Sequence, residues 1–281
     1  MCFFSCYFSL KKSHFKNKRQ NRNNGGKQTM KTVIFGKTPT QVNIAEQLKQ
    51  LITEYQQGQQ ELADGCRLAK SQLLANAQTE LYSAEGLREQ YNRTKDNLLT
   101  AAKNKAVGLN AKAMKIVASV KADALKALYE VEKGSDYAVR INNALQFVQI
   151  EGENIMDETA VQILKEFTND IETMQRFRSV IEKQVTARGE QLTDAYGHTT
   201  FPQTFGKLYH AEAFAQALAE LEEMASGIFL NKLTQTETEF LHGVSVSVPT
   251  DSYIQLITER NIIEQAETVE TMLAELFTVI D

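Results

Sequence analysis

The fold class is decided by the stretch Leu87–Val131, which reads LREQYNRTKDNLLTAAKNKAVGLNAKAMKIVASVKADALKALYEV. Its apolar residues recur every eleven positions, in a row made of Leu87, Leu98, Leu109, Val120 and Val131. Eleven residues make three helical turns at about 3.67 residues per turn, so the apolar stripe stays on one face. The stretch therefore predicts a long, nearly straight helix that a neighbouring helix approaches closely.

A second row of Tyr91, Ala102, Ala113 and Ala124 runs parallel to the first. Together the two rows make a narrow face, and the alanines of the second row allow close helix packing. We therefore predict an interaction face, called the eleven-residue face below, made of Leu87, Tyr91, Leu98, Ala102, Leu109, Ala113, Val120, Ala124 and Val131.

The surrounding sequence supports a helical protein, because no proline occurs between Pro39 and Pro202. We expect an all-α, elongated helical bundle with coiled-coil-like packing. One very long N-terminal helix, continuous or broken, should span residues 40–134, with three to four shorter helices packed along it. Each of the glycines at 58, 65 and 86 costs a helix about 1 kcal/mol relative to alanine, so a break is expected, with 58–65 the favoured place.

Four segments follow along the chain. Residues 1–29 are interpreted as a disordered segment or a spurious translated leader before Met30, because a composition rich in Asn, Lys and Phe is typical of translated AT-rich non-coding DNA. The apolar run precedes the basic residues, the reverse of a secretory signal, and the alternative is a basic arm that binds nucleic acid or anionic lipid. Residues 30–39 form a short extended segment, residues 40–134 the long helix or helix pair, and residues 135–281 a helical bundle region. This last region contains a loop at 189–206, a helix from Asp157 to about Arg188, and a short strand at 242–249.

Charge and cysteine usage differ along the chain. Residues 1–31 carry eight basic and no acidic side chains, and the remaining body carries 23 basic and 35 acidic ones, a net charge of −12. Residues 32–134 are net +3 and residues 135–281 are net −15, so the acidic helices are expected to pack against the lysine-bearing helix. One cysteine, Cys66, lies beyond the leader, within the apolar stripe, and is expected to be buried in a reducing compartment.

The search for chemistry yields no phosphate loop, nucleophile elbow, HExxH or paired CxxC motif. A composite site from His198, His210 and Asp194 is the one arrangement the loop offers. We predict no catalytic residue, no cofactor and no metal, and keep an enzyme with its site in the 190–210 loop as the second alternative function.

Lysines flank the apolar stripe between residues 101 and 128. Such an arrangement suits a helix lying on an anionic membrane surface, with contacts from Lys105, Lys112, Lys115 and Lys126. It equally suits a bundle helix whose lysine stems cover the seam. The stretch lacks aromatic residues, so bundle packing is favoured, a membrane-surface protein is the first alternative, and nucleic acid binding is disfavoured.

The sequence therefore predicts a non-enzymatic structural, scaffolding or docking protein that acts through helix–helix assembly. The expected partner is a second copy or another helical protein. The expected location is the cytoplasm or an assembled particle, since neither a signal peptide nor a membrane span is recognised.

Overall fold

The computed structural model describes residues 31–35, 38–79, 82–131, 133–187, 189, 201–230, 235–241, 244–250, 254–277 and 279–280. The interpretation of residues 1–29 as a leader lies outside these residues, as do the loop residues 190–200.

The predicted all-α helical bundle is confirmed. Seven α-helices account for most of the described residues, and single 3₁₀ turns lie at Gly152–Asn154 and Lys165–Phe167. The helices are α1 Ile44–Gln78, α2 Ala84–Tyr129, α3 Tyr137–Glu151, α4 Asp157–Leu164, α5 Ile171–Ala187, α6 Pro202–Gly227 and α7 Ile254–Leu276.

Two small antiparallel sheets accompany the bundle. Their strands are β1 Lys31–Phe35, β2 Thr38–Val42, β3 Gln235–Leu241, β4 Val244–Thr250 and β5 Val279–Ile280. The first sheet has the order β2–β1–β5, so the extended segment predicted at 30–39 contributes to a hairpin whose first strand, β1, is the central strand of the sheet. The second sheet pairs β3 with β4, and Pro249, which was expected to end the strand, lies inside it opposite Thr236.

The long N-terminal helix is a pair. Helix α1 has 35 residues and α2 has 46, so they are roughly 52 and 69 Å long at 1.5 Å per residue. The chain turns between Gln78 and Ala84, and the Ser83 hydroxyl accepts a hydrogen bond from the N–H of Gly86 at 3.1 Å, which caps α2. The favoured place of the break, 58–65, was wrong, because both glycines lie inside a continuous α1, whereas the observed break lies close to Gly86, the third glycine named above.

The two glycines of α1 are explained by the close approach of α2. A Cβ atom at Gly65 would lie 2.9 Å from Cδ1 of Leu98, and one at Gly58 would lie 3.1 Å from Cδ of Lys105. Gly65 lies opposite Leu98, and the earlier Gly58 lies opposite the later Lys105. This order of contacts is that of an antiparallel hairpin. Glycine at these two positions lowers the intrinsic stability of α1 but permits the close contact with α2. Neither glycine interrupts the helix.

Helices α6 and α7 complete the bundle on the base of this hairpin. The N–H of Ala45 donates to a Glu270 oxygen at 2.9 Å, and Gln56 donates to Glu259 at 2.8 Å, so α7 runs antiparallel to α1. Helix α6 packs on α2 and on α7. Cys66 is fully buried, as predicted.

The helix expected from Asp157 to about Arg188 is instead two helices separated by a 3₁₀ turn. The Asp157 carboxylate accepts hydrogen bonds from the N–H groups of Gln203 and Thr204, both at 3.0 Å, and thus caps α6 rather than its own helix. Asp170 directly precedes α5 and caps it, because its carboxylate accepts a hydrogen bond from the N–H of Thr173 at 3.0 Å. Sequence periodicity continues across the interruption, which is why one helix was expected.

We predict that Gly65→Leu lowers the free energy of unfolding by about 1–3 kcal/mol, because the added side chain would overpack the seam against Leu98. The matched control is Gly108→Leu on α2, where an added Cβ meets nothing within 4 Å and helix propensity should raise stability by up to about 1 kcal/mol. Urea denaturation of the two variants measures the contrast. Equal effects at both positions would contradict the close approach.

Candidate helix–helix interface

The eleven-residue face lies mostly inside the chain's own core. Leu109, Ala113, Val120 and Ala124 belong to the main core, which also contains residues of α1 and α6. Leu98, Ala102 and Val131 are half-buried. The chain's own helices therefore cover the base of this face. An apolar stripe of this length must be covered either within the chain or by another chain, and the structure shows the first arrangement for the base.

Leu87 and Tyr91 belong to a second, smaller apolar cluster together with Ala69 and Leu73. Among the described residues, the main core contains α1 residues only up to Tyr55 and α2 residues only from Ala106 onward. Residues 58–78 of α1 and 84–105 of α2, here called the outer hairpin, thus lie beyond the main core and share this smaller cluster, and strand β4 packs on both helices. This segment is about 31 Å long along α1, from 21 residues at 1.5 Å each.

Asn110 fixes where α6 ends on the hairpin, and sequence reasoning missed this residue. Its amide donates to the carbonyl of Ser226 at 2.9 Å, and its amide oxygen accepts from the N–H of Phe229 at 3.4 Å. A buried amide must be hydrogen-bonded to avoid a desolvation penalty, so this contact favours one register of α6 on α2. The available signal was a polar residue directly beside the buried positions Leu109 and Ala113.

Three of the four lysines expected to contact an anionic surface form ion pairs within the chain. Lys105 lies 3.1 Å from Glu61, and Lys112 lies 3.5 Å from Glu54, so both connect α2 to α1. Lys126 lies 3.8 Å from Glu130 on its own helix, and Lys115 is exposed. Such exposed pairs contribute only about 0–1 kcal/mol each, but they favour the antiparallel alignment of the two helices.

The acidic second half meets the lysine-bearing helix at Lys121, which is ion-paired with Glu222 of α6. A corresponding pair connects α5 to α6, where Arg178 lies 2.7 Å from Glu212 and its guanidinium stacks over the ring of Tyr209. Both pairs are about two-thirds buried, so they are less screened by solvent than the lysine pairs of the hairpin. They orient α6 between the hairpin and α5.

A buried network holds α3 in place. The Asp170 carboxylate accepts hydrogen bonds from the Tyr137 hydroxyl at 2.9 Å and the Thr173 hydroxyl at 2.7 Å, and Lys133 lies 3.2 Å from it. Burial alone would raise the pKa of Asp170, but the hydrogen bonds from Thr173, Tyr137 and Lys133 outweigh burial and lower this pKa below its usual value. The network joins the first residue of α3 to the start of α5.

The same network raises the pKa of Tyr137, whereas it lowers the pKa of Asp170. Burial, together with the hydrogen bond to the negatively charged Asp170, raises the pKa of Tyr137 to about 12. Arg140 lies over the Tyr137 ring, with its Cζ 5.5 Å from the ring centroid, and it pairs with Glu166 at 2.7 Å. These contacts fix the orientation of α3 on the bundle.

The alternative site in the 190–210 loop falls largely outside the described residues, including His198 and Asp194. His210 is exposed on α6. In the part of the chain that the structure describes, no three histidine, cysteine or carboxylate side chains are grouped as metal ligands. Within the same residues, no helix is both long enough and apolar enough to cross a bilayer.

Comparison with protein-family models, with curated proteins and with solved structures finds no match to this chain.

We predict that Tyr137→Phe lowers the free energy of unfolding by about 1–3 kcal/mol at neutral pH, because the variant removes a hydrogen bond to a charged, buried acceptor. The unfolded tyrosine ionises near pH 10, whereas the folded one keeps its proton until about pH 12. The native protein therefore loses free energy of unfolding as the pH rises from about 10 to about 12. The difference in this free energy between the native protein and Tyr137→Phe should become smaller over the same range.

Chemical denaturation between pH 7 and pH 12 measures this difference. Tyr129→Phe is the matched control, because Tyr129 is exposed at the end of α2 and should show no comparable effect. A difference between native protein and Tyr137→Phe that stays constant with pH would contradict the assigned hydrogen bond.

Proposed function

We propose that the protein is a non-enzymatic structural, scaffolding or docking protein that acts through helix–helix assembly, either with a second copy or with another helical protein. The observation that carries this proposal is the antiparallel α1–α2 hairpin, whose outer part has a small apolar cluster of its own beyond the main core. Such a hairpin holds long helical surfaces in a fixed orientation, which is what a scaffold protein provides to its partners.

The rigidity of the hairpin supports this role. Close packing at Gly58 and Gly65 and the cross-helix ion pairs of Lys105 and Lys112 favour a single register. Half-buried leucines remain along the flanks of the seam, at Leu74, Leu98 and Leu99. A two-helix pair buries one seam and leaves such flanks for a further helix, as in larger bundles.

The lysine contacts bear on the first alternative, a protein of the membrane surface. Two of its four expected contact residues, Lys105 and Lys112, already have carboxylate partners on α1. An anionic surface would have to compete with these partners, so the arrangement supports bundle packing over lipid binding.

The test is sedimentation velocity of the full chain from micromolar to submillimolar concentration. The proposal predicts a sedimentation coefficient that rises with concentration, because the protein associates through its helices. A coefficient that stays at the monomer value throughout would contradict self-assembly and leave the proposal dependent on a different helical protein.

A vesicle experiment separates the proposal from the membrane alternative. The protein is not expected to co-sediment with phosphatidylserine vesicles above the level seen with neutral vesicles. The control variant combines Lys105→Glu, Lys112→Glu and Lys115→Glu. Binding that requires the anionic lipid and is abolished in this variant would overturn the proposal in favour of membrane attachment.

A further inference from the structure

Large apolar side chains are exposed in an unusual concentration on α3 and just after it. Val139 and Phe147 are each 59% exposed, Ile150 is 77% exposed and Met156 is 58% exposed. A contiguous exposed apolar patch on a protein surface commonly marks an interaction site, whereas single exposed residues are ordinary. These four residues lie within one short stretch of chain and call for a shared explanation.

Three of these residues, Val139, Phe147 and Ile150, lie in one stripe on the outer side of α3, whereas Met156 lies beyond its end. Val139, Asn143, Phe147 and Ile150 follow each other at steps of four, four and three residues, which places them on one helical face. The opposite face is used within the chain, because Tyr137, Ala144 and Val148 are buried. Helix α3 therefore has two apolar faces, and the described structure covers only the inner one.

The polar residues beside the stripe are uncharged. Asn142, Asn143, Gln146 and Gln149 are all exposed amides, and no charged side chain occurs from position 141 to position 150. Arg140, which precedes them, is paired with Asp136 and Glu166. This neutrality is notable because residues 135–281 are net −15. A strongly charged partner would find no countercharge on residues 141–150, whereas this stretch of two copies would meet without repulsion between like charges.

We propose that the outer face of α3 binds the outer face of α3 in a second copy of this chain, in antiparallel orientation about a two-fold axis. The register that places Val139 opposite Ile150 of the second copy also places Asn143 opposite Gln146 and Asn142 opposite Phe147. Each amide carries both donors and an acceptor, so the central amides satisfy each other across the axis. A two-fold interface requires this kind of self-complementary surface.

The interface is small. Helix α3 has 15 residues and is about 22 Å long, so one stripe buries less than the roughly 800 Å² per partner of a standard interface. The dimer should therefore be weak and depend on concentration. This inference rests on the proposed function and names the face and the partner through which the assembly occurs.

Sedimentation equilibrium of the full chain tests the face. Ile150→Glu and Val139→Lys, made separately, should each weaken dimerisation at least tenfold, because each places two buried charges in the interface. The matched control is Leu68→Glu, whose site is 60% exposed on α1 and which should leave dimerisation unchanged. All three sites are exposed, so circular dichroism and urea denaturation should show folding within about 0.5 kcal/mol of the native chain.

The double variant tests the register. With Val139→Lys and Ile150→Glu in one chain, antiparallel packing places each new cation opposite a new carboxylate of the second copy, so dimerisation should recover. A double variant as weak as the single variants would overturn the antiparallel register. A dimer that resists both α3 variants but is lost in Leu68→Glu would overturn the inference while leaving helix–helix assembly in place. A monomer at every concentration would overturn both the inference and self-assembly.

Discussion

The close antiparallel contact between α1 and α2 is the constraint on which the rest of the structure depends. Glycine at positions 58 and 65 lets the side chains of Lys105 and Leu98 approach the α1 backbone, and this contact sets the register of the hairpin. With the register set, the buried residues of both helices form a continuous seam. The base of that seam is the surface on which the later helices assemble.

The later helices are positioned by specific polar contacts in addition to apolar burial. Asn110 donates a hydrogen bond to Ser226 near the end of α6, Asp157 caps the beginning of α6, and Asp170 joins the starts of α3 and α5. Each of these groups is polar and at least partly buried, and each is satisfied by contacts between elements distant in sequence. Apolar periodicity alone would permit several alignments of these helices, whereas the polar contacts favour one. They also hold α3 so that its outer apolar face stays exposed.

Sequence periodicity predicted the helical class, the buried apolar row of α2 and the burial of Cys66, because these follow from local apolar spacing. The role of the eleven-residue face in binding a partner stays a prediction. Sequence periodicity misplaced the break in the long helix, since the reason for Gly65 is a contact with a residue 33 positions later. The continuous helix expected from Asp157 failed for the same reason, because the partner of Asp157 lies on α6. The strand β3 was missed since its sequence, QTETEFL, carries little apolar signal without its partner. The exposed face of α3 was not recognised, because apolar residues lie on both faces of this helix and the sequence does not show which face is buried.

The central claim is that the long apolar seam is closed within one chain. It is tested most directly by the distance between two spin labels, at Ser71 of α1 and Asp96 of α2, in a chain whose native cysteines are replaced. Both sites are exposed and lie between the contact levels of Gly65 with Leu98 and Asn76 with Gln90. The account predicts a short distance, set by helix axes about 8–10 Å apart, that persists when labelled protein is diluted with unlabelled protein. A distance near 37 Å, as in one continuous helix, or a short distance that disappears on dilution, would contradict it.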